Sequence, residues 1–341
     1  MIEFAAMSFV SQPGWALGAV LILAASVGAE TTDPRLAEGI ERAKRATIGI
    51  LQDNTDRRGG GEQPHLALRA SGFHLGNGYI VTARHAVDRE EGGKRVVPKE
   101  ITILTTSLEE FTATLTGMNT FVDVAVYRLN GEGAASRVGI VAFAKDEPQP
   151  GDEVYTIGYP LGWGPAIGFG RVGNPNTFLP TVESRLFQID LPACSGNSGG
   201  ALFNAKGEVV GVVHAVIQTE KTQSEHHCSR FAFSVPGPLA KRIVEALIQG
   251  ATPKFSRLGV NLKPIKMGSQ WRVAVAEASG PALEGGIRRG DILLAIEDTE
   301  ITDAAQLKNF LTEKTEPGQR VSVRVLRDGT EHVLHVTLGG T

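Results

Sequence analysis

The chain has 341 residues, a net charge of −3 and no long run of Lys or Arg, so it lacks the electrostatic footprint of a nucleic-acid or anionic-membrane binder. Its 41 glycines, beside an aromatic share of only 6%, favour tight turns and short strands over long helices. That length exceeds the usual single domain, so two domains, the larger one β-rich, are expected.

Residues 13–30, PGWALGAVLILAASVGAE, give a run of about fifteen apolar residues, short of the roughly 20 that a spanning helix needs. The small-residue ending Val27-Gly28-Ala29 suits signal-peptidase cleavage after Ala29. Residues 1–29 therefore read as a signal peptide or an N-terminal anchor, although MIEFAAMSF carries no cationic start. Export is the expectation, periplasmic or secreted. The two cysteines, Cys194 and Cys228, would then most simply form one disulfide, with buried free thiols as the alternative.

After the leader, Leu36, Ile40 and Ala43 fall at helical spacing behind Asp33 in DPRLAEGIERAKRATIGI, which predicts a short helix that then turns into strand. From there to about residue 235, stretches such as GFHLGNGYIVTARHAV, ITILTTS, FTATLTGM, DVAVYRL, EVYTIGYP, SRLFQIDL, GALFNAKGEVVGVVHAV and RFAFSVP alternate with glycine-rich punctuation. About a dozen strands are predicted, which suits packed antiparallel barrels. Leu239, Ile243, Val244 and Leu247 share one helical face in PGPLAKRIVEALIQG, a closing helix that stops at Gly250. ATPKFS then reads as a hinge between a domain of residues 30–250 and a small α+β domain of residues 256–339, whose last hairpin turns at Asp328 and Gly329.

A serine hydroxyl becomes a nucleophile only beside a base, and the base needs a carboxylate to orient it. YIVTARHAV ends a strand at His85, NTFVDVAVYRL sets Asp123 where a loop enters a strand, and CSGNSGG holds Ser198 in a glycine turn. The chain order His, Asp, Ser selects a chymotrypsin-like double antiparallel β-barrel among serine hydrolases. Asp88, Asp152 and Asp190 are rival carboxylates that read better as structural. Glycines around Ser198 let the turn from Gly196 through Asn197 to Ser198 form an oxyanion hole, with the N–H groups of Gly196 and Ser198 as donors.

TARHAV, DVAVYRL, GNSGGALFNAKGEVVGV and RFAFSVP, followed by RLGV, resemble the HtrA/Deg serine proteases over residues 36 to 339. The resemblance implies a trypsin-like protease domain followed by one PDZ domain, and endoproteolysis of unfolded or damaged proteins outside the cytoplasm by His85, Asp123 and Ser198. It also implies a homotrimer. Digestive relatives carry a disulfide where Cys194 stands, and Cys228 lies suitably downstream. With Pro192 six residues before Ser198, the acidic selector of Lys or Arg is absent. A pocket for small or medium apolar side chains is implied instead, lined by Val216 and reached by His214 unless His214 is a structural histidine.

In the small domain, RLGV (Arg257, Leu258, Gly259 and Val260) has the form of a carboxylate-binding loop. The strand after it would pair with a peptide C-terminus, and Leu307 and Leu311 would wall the groove or simply fill the core. EHHC at 225–228 reads as a solvated loop, so no metal and no cofactor are expected. A catalytically latent chaperone or PDZ-based scaffold is the alternative function.

Overall fold

The computed structural model describes residues 33–53, 66–177, 179, 184–216 and 228–340. The leader, the histidines of EHHC and the side chain of Val216 lie outside the described residues.

Helix α1 (Pro34–Ala46) starts where the Asp33 carboxylate accepts from the Arg35 N–H at 2.9 Å, and ends in Lys44 and Arg45, which complement the helix dipole. It leads into β1 (Thr47–Asp53), β2 (Leu66–His74), β3 (Tyr79–Ala83), β4 (Glu100–Thr105), β5 (Glu110–Asn119) and β6 (Val124–Leu129). These close a barrel in the order β1-β2-β3-β6-β5-β4. A second barrel is built from β7 (Glu153–Gly158), β8 (Ala166–Thr177), β9 (Leu186–Cys194), β10 (Ala201–Phe203), β11 (Val209–Val216) and β12 (Cys228–Pro236), in the order β8-β9-β12-β11-β10-β7. Helix α2 (Gly237–Ile248) closes this part as the sequence predicts, burying Leu239, Ile243, Val244 and Leu247.

The strands that face the cleft are apolar on both sides. In β6, Ala125 and Tyr127 fill the first barrel, while Val124 and Val126 pack against Tyr155, Ile157 and Phe203 of the second. DVAVYRL is therefore nearly unbroken in hydrophobicity because both of its faces are covered, and Asp123 at its head is carried into the seam between the barrels.

The twelve barrel strands match the expected dozen, but β8 was not among the predicted stretches. Its glycines hide it: a Cβ at Gly170 would collide with the Asp190 carbonyl of the neighbouring β9. A close backbone approach there has replaced the alternating side chains that announce a strand.

Beyond Ser256–Arg257, which pairs with Gly339–Gly340, a sheet runs in the order β13 (Val260–Met267), β14 (Gln270–Ala278), β15 (Ile292–Ile296), β16 (Arg320–Arg327) and β17 (Thr330–Thr337). Helix α3 (Ala304–Glu313), capped by the Asp303 carboxylate, packs Leu307 and Leu311 on its core. The last hairpin turns at Asp328 (φ 48°) and Gly329 (φ 80°), as the sequence predicts. Two arginines fasten this unit to the barrels. Arg185, only 6% exposed, meets Glu147 and both oxygens of Glu313 at 2.7 Å, and Arg242 donates to the Thr312 carbonyl.

Candidate active site

β3 ends in the single helical turn Arg84–Val87, which carries His85 to the seam. Asp123 arrives from the other side on a turn in which the Asn119 side chain accepts from the Val122 N–H at 2.9 Å. Asp123 itself sits at φ 61°, a left-handed conformation that Asp tolerates better than most residues. Its carbonyl accepts from the Arg84 N–H at 3.0 Å, and its Oδ1 accepts from the His85 N–H at 3.1 Å. The backbones are thus tied together before the side chains meet. His85 Nδ1 then stands 2.5 Å from Asp123 Oδ2, which selects the tautomer with Nε2 free to act as a base.

Asp123 is 6% exposed, and burial alone would raise its pKa. The His214 and His85 imidazoles outweigh that and hold the carboxyl well below its ordinary value of 3.8. It is therefore an anion at neutral pH. His214 is the unexpected member: its Nδ1 is 2.9 Å from the same Oδ2, out of line for a hydrogen bond, and its ring meets the His85 ring edge-on at 4.9 Å. A lone imidazole in the apolar run VVGVVHAV was the only sequence signal for this placement.

Ser198 is held from across the cleft. The Ser71 N–H donates to the Ser198 carbonyl at 3.0 Å, while Ser71 Oγ donates to the Gly196 carbonyl at 2.7 Å and accepts from the Tyr159 N–H at 3.0 Å. Ser71 is fully buried on β2, and nothing in its sequence context announced this role. Gly196 adopts φ 100°, and a Cβ there would strike the Tyr159 carbonyl, so only glycine serves. The preceding Ser195 carbonyl accepts from the Leu161 N–H at 2.6 Å, and by peptide planarity the Gly196 N–H points the opposite way. Asn197 takes a different part: its N–H donates to the Cys194 carbonyl at 3.0 Å and its Oδ1 accepts from the Cys194 N–H at 3.0 Å, so it shapes the turn. The Ser198 hydroxyl donates to the His214 carbonyl at 3.2 Å, and among the described residues no hydrogen bond joins it to the His85 ring.

A Cys194–Cys228 disulfide ties β9 to β12 directly before this turn. Pro192 lies exposed on β9 between buried Leu191 and Ala193, and His214 Nδ1 stands 2.9 Å from Asp123 Oδ2. Of the rival carboxylates, Asp88 pairs with Arg84 at 2.9 Å, Asp190 with Arg230 at 2.8 Å, and Asp152 accepts from the Gln149 N–H at 2.7 Å.

In the small domain, Arg257, Leu258, Gly259, Val260, Leu307 and Leu311 line one groove of about 660 Å³ between α3 and the free edge of β13. Leu307 and Leu311 are also 5% and 8% exposed members of the core, so the wall and the core readings hold together. Phe121, two residues before Asp123, reaches this groove and stacks on Phe255 at 4.1 Å, a neighbourhood that sequence reasoning missed.

The trypsin-like peptidase domain family matches residues 70–212 and the PDZ domain family matches residues 256–338. A probable periplasmic serine endoprotease DegP-like of Ectopseudomonas mendocina is 30% identical over 92% of this chain and 65% of its own length. With a trypsin-like peptidase domain followed by a PDZ domain, the chain is similar to the HtrA/Deg proteases. Among other HtrA/Deg relatives, a probable periplasmic serine endoprotease DegP-like of Rhizobium meliloti is 27% identical over 83% of this chain, and the chain spans only 56% of that relative's length. The solved HtrA-type protease AlgW with decapeptide superposes with a TM-score of 0.69 over 90% of this chain and 98% of its own, and at 23% identity it speaks for the fold.

Proposed function

We propose that this chain is an exported serine endopeptidase of the HtrA/Deg type, with residues 30–250 as the protease domain and 256–339 as the PDZ domain. The observation that carries the reading is the 2.5 Å contact of His85 with the buried Asp123, beside a serine in a turn that only glycine at 196 permits. In this mechanism the Ser198 hydroxyl rotates from the His214 carbonyl to His85 Nε2, gives up its proton there and attacks a peptide carbonyl. The oxyanion forms against the N–H groups of Gly196 and Ser198, and removing one such donor would cost about 10²–10³ in rate. His85 returns the proton to the leaving amine and then activates water to release the acyl-enzyme. No cofactor is needed for these steps.

Unfolded or damaged proteins are the proposed substrates. An extended peptide C-terminus would add to the free edge of β13 with its carboxylate in the Arg257–Val260 loop. Periplasmic localisation is proposed from the names of the relatives. Among the described residues no helix is long and apolar enough to cross a membrane. A homotrimer is proposed from the resemblance alone.

One observation favours a second reading, a peptide-binding protein that holds clients without cutting them: the Ser198 hydroxyl donates to the His214 carbonyl and not to the base. A fluorophosphonate probe separates the two. The protease reading expects covalent labelling of the wild type and digestion of an unfolded protein, both abolished by Ser198→Ala. Digestion that survives in Ser198→Ala, or a wild type that neither labels nor cuts, would end that reading.

A further inference from the structure

A base needs one carboxylate oxygen and one imidazole, yet Asp123 Oδ2 faces two: His85 Nδ1 at 2.5 Å and His214 Nδ1 at 2.9 Å. His214 is 6% exposed, and its Nδ1 is a buried polar atom with no hydrogen-bond partner. A bond from that atom to a ligand would relieve the cost of leaving it unpaired. The ligand-capable atoms of His85, Asp123 and His214 all lie within 4.8 Å of one another. We infer that these three residues bind one divalent transition-metal ion, Zn²⁺ by preference, and that the ion and the proton relay exclude each other.

The donor set decides the ion. Two imidazole nitrogens and one carboxylate oxygen suit Zn²⁺ and Co²⁺, whereas Mg²⁺ and Ca²⁺ demand oxygen ligands. Zinc bonds of about 2.0–2.2 Å in a tetrahedron set ligand atoms about 3.3 Å apart, so Oδ2 and each Nδ1 need to separate by less than about 1 Å. The His85 side chain, 34% exposed, gives the ion its path from solvent. Arg84 Nε lies 3.3 Å from Asp123 Oδ1, but its guanidinium is balanced by Asp88 at 2.9 Å, so the Arg84, Asp88 and Asp123 group keeps one net negative charge for a cation.

Exclusion follows from proton position. A neutral imidazole that offers its Nδ1 lone pair to a metal carries its proton on Nε2. For His85, Nε2 is the atom that has to receive the Ser198 proton. The proton moves between the two ring nitrogens and none is lost, but the base is gone while the ion stays. This inhibitory half rests on the protease reading above, and the binding half does not.

Calorimetry with ZnCl₂ and the visible spectrum with CoCl₂ test binding on the full chain carrying Ser198→Ala, which cannot digest itself. One Zn²⁺ per chain and a tetrahedral Co²⁺ spectrum are expected. Adding His214→Thr should abolish the spectrum and weaken binding by more than the 10–100-fold typical of losing an outer-shell partner. His214→Gln serves as a second variant if a metal-free melt shows that the first one misfolds. Adding His226→Ala with His227→Ala should leave binding unchanged. Absent binding, equal binding by both His214 variants, or loss only on removing His226 and His227 would each overturn the site. On the wild type, Zn²⁺ should suppress fluorophosphonate labelling and a chelator restore it. Labelling that Zn²⁺ bound through His214 leaves untouched would overturn the exclusion. A wild type that never labels, ion or none, would overturn the protease reading and leave the metal site standing.

Discussion

His74, fully buried on β2, accepts at Nε2 from the Gly78 N–H at 3.1 Å, so its proton sits on Nδ1 and is donated to the Gly139 carbonyl at 2.8 Å. Burial lowers its pKa below the ordinary 6.5, so the unfolded chain binds this proton more readily than the folded one. Stability should therefore fall as pH drops below about 6.5 towards the lowered value. Melting temperatures measured between about pH 7 and pH 5 should show that slope, and His74→Gln should flatten it. A slope that survives the substitution would place the titration on another group. Residues of this kind mark the limit of what the sequence discloses. The sequence nominates His85, Asp123 and Ser198 because each stands in a local pattern. Ser71 and His214 act through partners far along the chain, where no local pattern reaches. The Val216 and EHHC readings stand where they began.

At the scale of elements, alternation and glycine punctuation disclosed eleven of the twelve barrel strands, the helices α1 and α2, and the final hairpin. β8 escaped because its pattern answers the backbone of β9 and not the solvent. The disulfide joins the end of β9 to the start of β12, closing a loop whose ends are 34 residues apart. In the chain-entropy account such a loop contributes about 3–4 kcal/mol. The paired substitution Cys194→Ala with Cys228→Ala should lower the urea midpoint accordingly. It should also slow fluorophosphonate labelling, because Asn197 grips Cys194 on both backbone atoms. An unmoved midpoint would mean that packing of β9 against β12 already fixes these ends.

Across the whole molecule, the Arg185 contacts with Glu147 and Glu313 join the barrels to the PDZ domain through one buried guanidinium. Removing it leaves two carboxylates facing a half-dry seam. Arg185→Gln should cost up to about 3 kcal/mol of interdomain stability, short of the cost of a fully buried pair. Calorimetry should then resolve a separate PDZ transition, with faster amide exchange in α3, whereas a single unaltered transition would show that the apolar contacts around Phe121 and Phe255 suffice. The grip of Ser71 on the Ser198 turn has a further consequence. The Ser198 turn belongs to one barrel, while Ser71, His85 and Asp123 belong to the other, so neither barrel holds the whole proposed site by itself. On the protease reading proposed above, a chain whose halves have not yet docked, whether newly exported or nicked between them, would have no cutting edge, and the order of assembly itself would guard the chain against its own activity.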